Sequence, residues 1–240
     1  MGIALDRLEA DPVLATLAQL RARIGARFPE RGLYSVSGEL VELAERVAQS
    51  SVQNRNRLHV VRIVSRVVIV VVAALTLVAL GFAVRSAAME GPEHDVEWLS
   101  LVESGVNDLV FAAVAIWFLY TVPERLRRSE TLALLHELRS LAHIIDMHQL
   151  NKDPERLRAS FTPTAVSPAM DLTSEELEHY LDYCSELLSL VGKTAALCAE
   201  ESRDAVVLDT VSTIETLTIG MSRKVWQKIT VLNEVRRSAG

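Results

Sequence analysis

The sequence predicts an all-α integral membrane protein: a hairpin of two transmembrane helices joined to a helical cytoplasmic module that ends in an antiparallel helical hairpin. Three observations carry that expectation. Half of the 240 residues are apolar and the mean hydropathy is positive. Two long uncharged runs stand in the first part of the chain. Elsewhere the apolar residues recur every three or four positions, the spacing of an amphipathic helix rather than of a strand. With 10 glycines, 7 prolines and 2 cysteines, collagen-like, low-complexity and disulfide-stapled classes are excluded. A net charge of −6 argues against a nucleic-acid binder.

Residues 1–62 read as amino-terminal cytoplasmic helices. Asp11-Pro12 is a helix start, and Val13, Leu14, Leu17, Leu20 and Ile24 continue the pattern to Phe28. Pro29 to Ser37 reads as a loop. A second helix is expected from near Gly38, through Val41, Ala44 and Val47, running without a breaker into a first span at 63–84. Its core, Val67 to Val84, holds 18 residues without a charge, about 27 Å of helix. The β-branched richness suits a strand, but no turn signal appears before Gly91-Pro92, so length decides for helix. Residues 85–104 read as an external acidic loop, and 105–122 as the second span. Leu109 to Val122 supplies only 14 uncharged residues, about 21 Å, and borrows Gly105, Val106 and Asn107 to cross. Trp98 on one side and Trp117, Phe118 and Tyr120 on the other fall at headgroup level. Neither run reads as a cleaved signal, since 66 residues precede the first, and Met1-Gly2 lacks the hydroxyl residue of a myristoylation site.

Charge sets the expected orientation. Arg55, Arg57, Arg62 and Arg66 precede the first span and Arg125, Arg127 and Arg128 follow the second. The loop holds Arg85 against Glu90, Glu93, Asp95, Glu97 and Glu103. The positive-inside rule then places both termini in the cytoplasm. Residues 1–66 carry a net +3, the loop −4 and residues 123–240 −4, so overall acidity hides a basic collar. Its seven arginines are candidate contacts for anionic lipid. With 21 arginines against 4 lysines, the composition points to a GC-rich bacterial genome, and the expected location is the inner (cytoplasmic) membrane.

Residues 123–150 read as a cytoplasmic helix with a kink or restart at Pro123. Its face of Leu134, Leu135, Leu138, Leu141, Ala142 and Ile145 suits docking on the helix that leads into the first span. Residues 151–172 form a connector. In the carboxy-terminal hairpin, 173–240, Thr173 and Glu176 make a capping box. A stripe at nearly coiled-coil spacing follows: Leu177, Tyr180, Leu181, Cys184, Leu187, Leu188, Val191, Ala195 and Cys198. Val207, Val211, Ile214, Thr218, Met221, Val225, Ile229 and Leu232 form its partner stripe. Two such narrow stripes bury little alone, so docking on the rest of the chain or on a second copy is expected.

No chemistry is advertised. In the cluster of His143, Asp146 and His148, with His136 upstream, only His143 and Asp146 are helical neighbours, which favours a hydrogen-bonded pair over a metal site. Cys184 and Cys198 are about 21 Å apart along one helix, too far to bridge, and read as reduced core residues. No phosphate loop, nucleophile elbow or HExxH occurs, so no enzyme, cofactor or metal is expected. In the second span Asp108, with Asn107 and Glu103, is the candidate mouth of a cation pore, should several chains assemble. Arg66 is expected to snorkel to the headgroups.

The expected function is a self-associating, membrane-tethered interaction or signalling scaffold, with an oligomeric ion-conducting pore or membrane effector as the alternative. Its partners are the lipid bilayer, further copies of the chain and a cytoplasmic protein. In layout the chain resembles the two-transmembrane effector domains of bacterial conflict systems, a resemblance of architecture that transfers no motif.

Overall fold

The computed structural model describes residues 8–90, 95–158, 160–167, 171–200 and 202–239; the side chains of 51–62, 83, 86–90, 95–101 and 238–239 lie outside that description. The described residues form five α-helices: α1 (Ala10–Arg27), α2 (Gly32–Glu90), α3 (Asp95–Leu150), α4 (Ser174–Ala199) and α5 (Ala205–Ala239), with one 3-10 turn at Pro154–Leu157. No strand occurs among them, and two helices are long and apolar enough to cross a membrane.

The chain divides into two units, residues 1–51 with 130–240, and residues 52–129. The first is a helical bundle. Val13, Leu17, Leu20 and Ile24 put one face of α1 into its core. Leu33, Val36, Leu40, Leu43, Ala44 and Val47 do the same for α2. Close approach between helices is set by small residues and by charge. A Cβ on Gly25 would stand 2.7 Å from the Tyr34 ring, so glycine there lets α1 lie against α2. A Cβ on Gly32 would meet His148 at 2.6 Å, and Arg46 pairs with Glu137, so α2 runs beside α3. Leu135, Leu138, Leu141, Ala142 and Ile145 are buried and Leu134 half-buried, in accord with the docking face read from sequence. Phe28 stands edge-on to Tyr180 and Tyr183, with ring centroids 5.5 and 6.1 Å away, joining α1 to α4.

At Thr173 the hydroxyl accepts the Glu176 N–H at 3.2 Å while the Glu176 carboxylate accepts the Thr173 N–H at 2.8 Å. The capping box therefore starts α4 where the sequence places it. Arg236, near the end of α5, bonds to Ser174 and pairs with Glu178 at the start of α4, so the two helices are antiparallel. Both stripes are buried within the one chain, apart from half-buried Cys198. The two stripes thus lie in one core cluster with residues of α1, α2 and α3, and α1 packs directly on α4.

Three expectations change. The loop at Pro29–Ser37 shrinks to a turn, and α2 begins at Gly32 rather than Gly38. The reason is burial: Leu33 and Val36 extend the stripe one and a half turns upstream, and the Arg31 N–H bonds back to the Phe28 carbonyl at 3.2 Å to close the turn. The segment 85–104 is helical through Glu90 and again from Asp95, because no residue between Arg85 and Glu90 breaks a helix; residues 91–94 lie outside the described residues. Of the kink or restart expected at Pro123, the restart does not occur, and one helix runs through it. Proline removes one N–H donor, and the ladder on either side holds.

Candidate functional site: the apolar helices and the polar groups around them

In the unit of residues 52–129 the stretch Ile63–Phe82 turns its large side chains outward. Val70 is 65% exposed, Leu77 69% and Phe82 70%, and on α3 Phe111 is 66% and Tyr120 74% exposed. Both helices are long and apolar enough to cross a membrane. The helices touch where Leu80 lies 3.7 Å from the position of a Cβ on Gly105. The Thr76 hydroxyl donates to the Val72 carbonyl at 2.9 Å, so it is satisfied inside its own helix. Thr121 does the same with Phe118 at 2.9 Å.

Glu103, Asn107 and Asp108 are all exposed on α3. At about 100° per residue, Asn107 falls below Glu103 but Asp108 projects about 140° away from it. Asp108 therefore shares its side of the helix with Ser104, about 40° away, and not with Glu103. In the basic collar Arg66, Arg125 and Arg128 are exposed and Arg127 is half-buried; the side chains of Arg55, Arg57 and Arg62 lie outside the described residues. Arg125, Arg127 and Arg128 point to different sides of α3.

In the bundle, Asp146 does not take the expected proton of His143. Its Oδ1 accepts the Gln149 amide at 2.7 Å, and His136 and His143 are exposed. Among the described residues no three His, Cys, Asp or Glu side chains converge. Cys184 is buried and Cys198 half-buried, both as free thiols, and burial pushes each up to about 12. They have the character of core residues rather than nucleophiles. Burial, and then the charge of Lys152, hold His148 below the ordinary histidine range.

Other polar features escape a reading of the sequence. The Lys228 ammonium donates to the carbonyls of Gln149 at 2.6 Å and Leu150 at 3.3 Å, a cationic cap on the end of α3. Arg23 grips Glu186 through two bonds of 2.8 and 3.2 Å. Between α4 and α5 runs a groove of about 430 Å³ whose walls include Ser189, Gly192 and Lys193 on one side and Ile219, Arg223 and Trp226 on the other. The only signal for it was Ile219 and Trp226, seven residues apart and outside the α5 stripe. Lys228, Arg23 and Glu186 left no signal, because their partners are distant in sequence. Compared with known proteins, the chain matches no protein-family model, and no curated protein or solved structure is significantly similar to it.

Proposed function

We propose that the chain is a membrane-tethered interaction scaffold, with its apolar helices as an anchor in the inner membrane of a bacterium and its bundle as a cytoplasmic binding module. The observation that carries this reading is the contrast between the two units. The bundle core is closed, with Ile24, Leu40, Leu138 and Leu187 at 0% exposure, whereas Leu77 and Phe82 in the apolar unit are 69% and 70% exposed. At roughly 25 cal/mol per Å² of apolar surface, water would penalise that unit heavily and hydrocarbon would not. The stretch Ile63–Phe82 carries little polar surface, and its Thr76 hydroxyl is satisfied within the helix, as an anchor requires. Alkaline carbonate extraction of membranes from cells expressing the full chain is expected to leave it in the pellet. Recovery as a monodisperse protein without detergent would overturn the reading.

A second reading, an ion-conducting pore built from several copies, is favoured by Asp108. This carboxylate is exposed among Val106, Leu109, Val110 and Phe111, each more than half exposed. An ionisable group in such surroundings marks a partner or a path. If copies surround a path, Asp108→Asn lowers cation leak from liposomes and Asp108→Lys turns the leak toward anions. An anchor predicts no flux in the wild type or in either variant.

A further inference from the structure

The exposed face of α5 is self-complementary about one residue. Leu208, Ser212, Glu215, Ile219, Ser222 and Trp226 fall within about 40° of one another's mean direction on the helix. All are exposed except half-buried Ser222. Leu208 is 42%, Ile219 53% and Trp226 58% exposed, so the face is apolar as well as open. Arg223 flanks it. The order of residues has a centre: Glu215 stands four positions before Ile219 and Arg223 four after, Ser212 seven before and Trp226 seven after, Leu208 eleven before and Thr230 eleven after. Each large or charged residue thus has a small or oppositely charged one at the mirrored position.

Within one chain these charges cannot answer each other. Glu215 and Arg223 are eight residues apart, about 12 Å along the axis, and neither has an ion-pair partner among the described residues. An antiparallel second helix reverses the order and brings each charge opposite its complement. Beside this face the groove of about 430 Å³, floored by Gly192 and edged by Lys193, leaves room for the second helix to settle toward α4.

We propose that α5 is a homodimer surface: a second copy of this chain packs its own α5 antiparallel on this face, on a twofold axis through Ile219. Glu215 of each copy meets Arg223 of the other, and each Trp226 covers the small Ser212 opposite. A twofold interface requires a patch that is complementary to itself under reversal, and this sequence of residues has that property. The proposal deepens the scaffold reading and rests on it for the bundle's role in binding other chains. It differs from association through the buried stripes of α4 and α5, which the bundle already covers.

The test uses the full chain in detergent. Ile219→Cys is expected to join two copies through a short bismaleimide matched to the about 8–10 Å between packed helix axes. Thr213→Cys, exposed on another side of α5, is expected not to, and neither is the wild type. Glu215→Arg alone and Arg223→Glu alone should each weaken the dimer on the order of tenfold in sedimentation equilibrium. The double exchange should restore it, a result that mere damage to the fold would not give. A monomeric wild type, equal crosslinking at 213 and 219, or a double exchange that fails to restore pairing would overturn the proposal, and a monomer would leave the face to a different protein. Carbonate extraction of the same variants separates the two readings: a chain held in the membrane but monomeric sinks only the dimer surface, and a soluble chain sinks the tether.

Discussion

At the scale of single residues the bundle is held by a few polar contacts whose loss is measurable. Thr173 closes both halves of the capping box on α4. Thr173→Ala is expected to cost about 1 kcal/mol, read as a lower thermal midpoint by circular dichroism in detergent. His148 supplies a pH dependence. Its pKa is held down, first by burial and then by Lys152, so the folded chain binds fewer protons than the unfolded one across that interval. Stability therefore rises with pH through the interval and falls on acidification through the ordinary histidine range near about 6.5. The thermal midpoint should drop as the pH goes from neutral toward 5, and His148→Leu should flatten the drop. Glu137 and Asp171, held below the usual carboxylate range by their bonds to Arg46 and Arg31, act in a separate, more acidic window. There the sign agrees: stability present at neutral pH is lost as each carboxylate protonates.

At the scale of elements, what was legible in the sequence was what local physics decides. The α4 start follows from a capping box four residues long, and the α5 stripe from spacing alone. Both are found in place. Errors gathered where local signals were outweighed. Pro29, Arg31 and Gly32 look like a loop, yet burial of Leu33 and Val36 draws the helix start back to Gly32. Pro123 looks like an interruption, yet the helix passes through it. The cross-helix pairs, Lys228 with the end of α3 and Arg23 with Glu186, join residues 78 or more positions apart, and periodicity carries no information about them. Of the candidate polar mouth, helix periodicity alone shows that Glu103 and Asp108 face different ways on one helix. The stripe also yields a test: Ile214 is 0% exposed, so Ile214→Asp would bury an unpaired carboxylate. Loss of the cooperative thermal transition and of protease resistance in residues 130–240 is the expected outcome, and an unchanged melt would show that this face is open.

At the scale of the whole molecule the topology is a matter of charge. If, as proposed, the arginines face the cytoplasm and residues 85–104 the outside, an impermeant maleimide applied to intact cells should label Gly91→Cys and leave Ser160→Cys untouched. The reverse pattern would invert the orientation. The two native thiols lend themselves to a different use. Cys184 has no exposed surface, at 0%, and belongs to the helix against which both α1 and α5 pack. A reagent reaches it only when the bundle opens, so its alkylation rate is a clock for that opening. When closing outpaces the chemistry, the ratio of this rate to that of an unfolded thiol equals the fraction of time spent open. A neighbouring protein or lipid that tightens the bundle would slow the clock, and one that loosens it would speed it, with no label, tag or mutation introduced.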